Sequence, residues 1–111
     1  MNGRLPLPCG RLPALGALIC ALAAPPSAAQ SADRQARAWA AACAACHGSE
    51  GRSEGAIPSI AGREAGELYR AMVEFRDGQR TYATVMHQHA RGYSDDELRR
   101  IARFFAARPA R

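Results

Sequence analysis

Lysine is absent from this sequence of 111 residues, so all 15 basic residues are arginines. The arginines are scattered among acidic residues and form no dense basic run of the kind that is typical of nucleic-acid binding. After residue 29 the chain carries 13 arginines and 10 acidic residues, a mildly basic balance that favours acidic partner surfaces. The composition therefore predicts no nucleic-acid partner.

A hydrophobic run long enough to cross a membrane is also missing. The apolar stretch over residues 12–24 contains a glycine and is followed by two prolines, whereas a membrane span needs about 20 consecutive apolar residues. Arg4 and Arg11 precede most of this stretch, and small residues follow it up to Ala29, which together are typical of a signal peptide. The sequence predicts a cleaved leader over residues 1–29, with an uncleaved anchor as the alternative.

The rest of the chain, residues 30–111, is short of β-strand patterns and of large aliphatic side chains. Apolar residues recur there at the spacing of amphipathic helices, in residues 36–43, 68–75 and 98–105. A capping box at Ser94 and Glu97 precedes the last of these segments. A chain of about 80 residues buries little surface of its own. We therefore expect one small all-α domain, exported to the periplasm and without a membrane span, with about three main helices and long loops around a cofactor.

Cysteine is rare after the leader, where only Cys43 and Cys46 remain, and His47 follows them directly. This Cys-x-x-Cys-His pattern is typical of covalent haem attachment, in which both thiols bond to the macrocycle and the imidazole binds its iron. A zinc site would need further ligands, and the other alternative, a thiol–disulfide oxidoreductase, would need a βαβ context. We predict one covalent haem c on Cys43 and Cys46, with His47 as an axial ligand.

The second axial ligand of the iron must come from a distant part of the chain. Met72 falls on the apolar face of a predicted helix, where methionine usually fills the core. Met86 lies in a segment that we expect to be a loop placed against the haem, and we predict that it is the ligand, with His87 and His89 as rivals. Two protein ligands leave no open iron position, so we expect single-electron transfer without catalysis by this chain.

Residues around these ligands have predicted supporting roles. A metal-binding histidine usually donates its second ring N–H to an acceptor, and a backbone carbonyl in residues 57–60 is the expected acceptor for His47. Pro58 would stiffen that segment, and an ordinary loop proline is the alternative. Donors for the haem propionates are expected among Arg63, Arg80 and Tyr82.

These motifs resemble those of the class I cytochromes c. Residues 43–48 match the attachment site of that family, and residues 58–62 resemble its proline loop. Residues 75–80, 83–86 and 90–97 are similar to the corresponding region in the cytochrome subunits of flavocytochrome c sulfide dehydrogenases. The resemblance to the class I cytochromes c covers nearly all of the chain after the leader, whereas the similarity to the sulfide dehydrogenase subunits rests on the region of residues 75–97.

The resemblance implies that Cys43 and Cys46 bind haem, that His47 and Met86 ligate its iron, and that Pro58 supports His47. It further implies a flavoprotein partner that oxidises sulfide and passes electrons to the haem. A free periplasmic electron shuttle, which would serve other redox proteins, is the alternative.

Overall fold

The computed structural model describes residues 27–110, and four α-helices account for most of them. They are α1 (Ala28–His47), α2 (Ala65–Arg76), α3 (Met86–Arg91) and α4 (Asp95–Ala106). A 3-10 turn over Ser49–Gly51 directly follows α1. Residues 27–110 contain no β-strand, and none of their helices is long and apolar enough to span a membrane. The all-α prediction is confirmed, but α3 lies where we expected a loop.

Helix α1 begins inside the last residues of the predicted leader. The Ser27 side chain accepts a hydrogen bond from the backbone of Gln30, whose side chain in turn accepts one from the Ser27 backbone. This reciprocal capping box satisfies two backbone donors that the first helical turn leaves free. Residues 1–26 lie outside the described residues, so the leader and its cleavage after Ala29 stay predictions.

Helix α1 ends at His47 because the next residue reverses the chain. Gly48 has a φ of 82°, a conformation that glycine adopts without steric cost. A Cβ at this position would also overlap the backbone carbonyl of Arg52. The glycine therefore lets the chain turn back across the end of the helix that carries the attachment motif.

Helix α4 lies at the centre of the fold and packs against both α1 and α2, while α3 packs against α2. Its apolar face contributes Leu98, Ile101 and Phe105, which are the largest fully buried side chains of residues 27–110. The predicted capping box is present, since Ser94 and Glu97 exchange side-chain to backbone hydrogen bonds. The sequence pattern thus located both the start of α4 and its buried face.

Arginines contribute to the packing around α4. The Arg100 guanidinium lies 4.7 Å from the ring centroid of Trp39 on α1, and that of Arg99 lies 4.5 Å from Tyr69 on α2. A planar guanidinium stacks on an aromatic face in a way that an ammonium group does not. These two contacts tie α4 to its neighbours and give part of the arginine content a structural role.

Candidate functional site

A cavity of about 450 Å³ lies between the helices and receives residues from all four of them. Its volume falls within the range of about 300–1,000 Å³ that is typical of small-molecule sites, and most of its lining is apolar. The five residues predicted to bind the haem or to support its histidine ligand all line it, namely Cys43, Cys46, His47, Pro58 and Met86. The fold therefore brings the predicted site residues to one place.

The two cysteines lie one helical turn apart at the end of α1 and face the cavity. Cys43 is half-buried and Cys46 is exposed. Burial raises the pKa of the Cys43 thiol. Residues 27–110 contain no β-strand, so they lack the βαβ context of a thioredoxin-like oxidoreductase.

His47 is the one buried residue with a polar side chain within residues 27–110. Its Nδ1 lies 2.7 Å from the backbone carbonyl oxygen of Pro58. Because a carbonyl oxygen only accepts, Nδ1 must be the protonated nitrogen, and a neutral ring then keeps a lone pair on Nε2. The contact therefore prepares Nε2 for a metal.

The loop that carries Pro58 is held by Gly51. The Gly51 carbonyl oxygen accepts hydrogen bonds from the Ser59 hydroxyl at 3.0 Å and from the backbone of Ile60 at 2.8 Å. Gly51 has a φ of 79°, and an added Cβ would lie 2.7 Å from Cδ1 of Phe105. This anchor was not predicted, because its only signal in the sequence is a glycine shortly after the attachment motif.

The structure separates the four candidates for the second axial ligand. Met86 is the first residue of α3, and His89 follows it by one helical turn; both line the cavity. Met72 of α2 also lines the cavity, whereas His87 lines a separate surface groove together with Arg91. The geometry therefore keeps Met72, Met86 and His89 as candidates and leaves His87 outside.

The rim of the cavity exposes apolar side chains. Ile57, Tyr82 and Val85 are the exposed large hydrophobic residues of the described part of the chain, and all three line this cavity. We call these three residues the apolar rim. Single exposed apolar side chains are ordinary, but their concentration at one site indicates a surface that a bound group or a partner covers.

The charged side chains at the rim are paired within the chain. Arg63 forms an ion pair with Glu67. Arg80 donates to Glu74 at 2.5 Å and to the Tyr82 hydroxyl at 2.8 Å, and the bond with Glu74 is the main cause of a raised pKa of Arg80. Arg63, Arg80 and Tyr82 are the three predicted propionate donors, and all three line the cavity.

The residues of this cavity fit a covalently bound haem. The apolar walls suit a flat, largely hydrophobic macrocycle, and two thiols lie beside it on one helix. A buried imidazole with its Nδ1 already engaged is the donor arrangement that metal-binding histidines usually have. Arg63 and Arg80 line the cavity while paired with Glu67 and Glu74, and each guanidinium has further N–H groups that acidic propionates need as donors.

Comparison with known proteins gives an independent finding. Residues 30–105 match the family model described as cytochrome c oxidase, cbb3-type, subunit III. The chain is 44% identical over 63 residues to the cytochrome subunit of sulfide dehydrogenase of Chlorobaculum tepidum, which covers 57% of this chain and 56% of that protein.

Two further relatives widen this comparison. Cytochrome c-554(548) of Halomonas halodenitrificans is 35% identical over 68 residues, which cover 59% of this chain and 82% of that cytochrome. The thiosulfate dehydrogenase electron acceptor of Stutzerimonas stutzeri is 35% identical over 91 residues, which cover 74% of this chain and 42% of that protein. The chain thus spans little more than half of the sulfide dehydrogenase subunit and most of the small cytochrome.

Proposed function

Because the chain belongs to the cytochrome c family described as cytochrome c oxidase, cbb3-type, subunit III, we propose that it is a periplasmic electron-transfer subunit. Its electrons would come from a sulfide-oxidising flavoprotein. Membership makes it an electron-transfer protein with haem c as its cofactor. What we propose beyond this is which residues hold the haem, which protein is the partner, and that the compartment is the periplasm.

We assign the haem contacts to the residues of the cavity. Haem c supplies a one-electron iron couple whose potential depends on the two axial ligands. Cys43 and Cys46 would hold it covalently, and His47, whose ring is oriented by the Pro58 carbonyl, would bind the iron through Nε2. Met86 would contribute a thioether, which raises the potential relative to two imidazoles.

The apolar rim carries the proposal of a dedicated partner. Stable protein interfaces bury about 800 Å² on each partner and are apolar at their centre. The exposed large hydrophobic residues of the described chain gather at the rim, and the neighbouring Arg63 and Arg80 are already paired with Glu67 and Glu74. A rim with few free charges favours a lasting apolar contact. The sulfide dehydrogenase subunit is a relative over 56% of its length, which supports sulfide oxidation as the source of electrons.

A free electron shuttle is the second candidate. It is supported by the cytochrome c-554(548) relative, of which the chain covers 82%. A shuttle meets its partners briefly and depends on long-range charge attraction, so its rates fall as salt screens the charges. A lasting apolar interface depends much less on salt.

The first test asks whether the haem is present. Mass spectrometry of the exported polypeptide should show one covalently added haem and an N-terminus at Gln30, which also tests cleavage after Ala29. A polypeptide without the added mass would overturn the whole assignment. An intact leader would overturn the proposed processing alone.

The second test addresses the partner. The purified holoprotein is mixed with sulfide and the flavoprotein subunit of a sulfide dehydrogenase, and haem reduction is followed at increasing salt. A dedicated subunit should show rates that change little with salt and that fall when the rim is made polar by Val85→Ser. Ala107→Ser, an exposed position outside the cavity, is the matched control. Rates that fall steeply with salt and ignore Val85→Ser would favour the shuttle.

A further inference from the structure

We propose that His89 is a reserve axial ligand, which binds the haem iron when the thioether of Met86 leaves it. The proposal rests on the proposed function, since it takes the haem to lie in the cavity with Met86 as the resting ligand. It assigns a use to a histidine that the fold places beside Met86 and that the resting site does not employ.

Few of the side chains that line the cavity could bind iron. Apart from the attachment motif, the neutral sulfur and nitrogen donors there are Met72, Met86 and His89. The chain has no lysine, and arginine keeps its proton and cannot bind a metal. A soft thioether suits ferric iron less well than an imidazole does. His89 is therefore the strongest substitute donor that the described residues bring to the cavity.

The positions of Met86 and His89 along α3 place them on one face of the helix. Met86 and His89 are three residues apart, so their side chains project from the same face of the helix. His87 is only one residue from Met86, and it lines the separate groove instead. Three helical residues rise by about 4.5 Å, so a shift of α3 by about that distance along the cavity would bring the His89 imidazole to the place of the Met86 thioether.

The first turn of α3 has no side-chain cap. Val85, the residue before Met86, makes no side-chain capping bond to it, although its backbone carbonyl accepts hydrogen bonds from the backbone of Gln88 and His89. At the other end Ala90 is buried, and the His89 carbonyl accepts a hydrogen bond from Gly92. Both ends thus keep backbone hydrogen bonds, and the missing side-chain cap favours fraying at the Met86 end.

The ring of His89 is free to move within the described structure. His89 is exposed, and no side-chain hydrogen bond to another residue of 27–110 holds its ring. Rotation about its side-chain bonds therefore costs little. An imidazole in place of the thioether would keep the iron six-coordinate and lower its potential, so that the protein would remain an electron carrier for stronger reductants only.

The experiment uses the holoprotein, whose thioether-bonded haem stays attached when an axial ligand is lost. Ferric Met86→Ala is compared with the double variants Met86→Ala/His89→Ala and Met86→Ala/His87→Ala by optical and electron paramagnetic resonance spectroscopy. Far-ultraviolet circular dichroism of each variant checks that it keeps its helices. The second double variant is the matched control, because it removes a neighbouring histidine that lies outside the cavity.

Met86→Ala and its His87 control should stay low-spin, and only Met86→Ala/His89→Ala should become high-spin. Added imidazole should bind the His89 double variant at least about tenfold more tightly than Met86→Ala, as expected if His89 occupies the iron in about nine molecules of ten. A helical Met86→Ala that is already high-spin overturns the proposal, and so does a His89 double variant that stays low-spin.

A second measurement covers the case in which the Met86 variants unfold. Wild type and His89→Gln are titrated with guanidinium chloride, and the sulfur-to-iron band is compared with the spin state. In wild type the band should vanish while the iron stays low-spin, and in His89→Gln both should change together. Identical behaviour overturns the proposal. A wild-type protein that has haem but no sulfur band contradicts Met86 as the resting ligand, which separates that failure from the failure of His89.

Discussion

Nδ1 of His47 and the carbonyl oxygen of Pro58 lie 2.7 Å apart, which joins the end of α1 to a loop eleven residues further along the chain. An acceptor at Nδ1 makes the imidazole a stronger donor through Nε2. The loop position therefore acts on the electronic properties of a bound iron, because a more electron-rich ligand stabilises the ferric state. The stiffness of Pro58 and the anchor at Gly51 determine how well that position is kept.

Replacing Pro58 by alanine should raise the reduction potential. The carbonyl remains, but the freer backbone weakens its average contact with Nδ1, and the ferric state is stabilised less. Loss of a proline also lowers the free energy of unfolding by about 0.4–1 kcal/mol, because the unfolded chain gains conformational entropy. Potentiometric titration and denaturant unfolding measure the two effects. Pro109→Ala, outside the cavity, is the control that should lose stability without a change of potential.

Replacing Met86 by leucine should remove the sulfur-to-iron band of the oxidised protein and lower the potential. Leucine keeps the volume of the side chain but has no donor atom. Met72→Leu is the matched control, because Met72 also lines the cavity but is expected only to fill space. The band should survive in Met72→Leu. If it survives in Met86→Leu and disappears in Met72→Leu, the axial assignment is reversed.

Removal of the haem should leave the chain largely unfolded. The cavity takes its walls from all four helices, and these walls are mostly apolar, so without the macrocycle they would be left facing water, which is unfavourable. The double variant Cys43→Ala/Cys46→Ala, which has no thiol for attachment, tests this expectation by circular dichroism against the holoprotein. A cooperative thermal transition with the same helical signal would contradict it.

Sequence patterns predicted most of the fold because its three longer helices have strong local signals. The capping box at Ser94 and Glu97 is present where it was expected, and the apolar periodicity located the buried faces of α2 and α4. Helix α3 escaped because it has only six residues, too few for a periodic pattern to emerge. Its buried residue, Ala90, carries little hydrophobic signal.

Contacts between distant residues were not predictable in the same way. Glu50 forms ion pairs with Arg37 at 3.5 Å and with Arg108 at 3.1 Å, and its own φ is 57°. Nothing in the local sequence selects these partners, which meet only after α4 has packed against α1. The cavity itself was expected from the attachment motif, whereas the pairing of its rim arginines required the structure.

Asp95 should make stability depend on pH. A hydrogen bond from Arg76 at 2.6 Å is the main cause of the lowered pKa of Asp95. A carboxyl group whose pKa is lowered by folding stabilises the fold above its ordinary pKa of about 3.9, and this contribution disappears as the pH falls through the lower folded value. Asp95→Asn should therefore be less stable than wild type at neutral pH.

The difference between Asp95→Asn and wild type should shrink once the pH falls below about 4. It should be small, since the pair is partly exposed. Denaturant unfolding at several pH values measures it. Asp96→Asn is the control, because Asp96 lies in the same first turn of α4 but approaches its partner Arg100 only to 3.9 Å. An equal, pH-independent loss in both variants would mean that the Arg76 contact contributes nothing of its own.

Gly51→Ala should destabilise the fold, whereas Gly55→Ala in the same loop should not. The alanine would have to adopt a φ of 79°, and its Cβ would lie within 3 Å of both Phe105 and Ile60. We therefore expect a loss of about 1–3 kcal/mol in unfolding free energy. Gly55→Ala is the control, because a Cβ at Gly55 meets no atom within 4 Å. Displacement of Gly51 would also move the segment that hydrogen-bonds to it, so the reduction potential should change in Gly51→Ala and stay constant in Gly55→Ala. Equal stability and equal potential in the two variants would show that the loop is not anchored through Gly51.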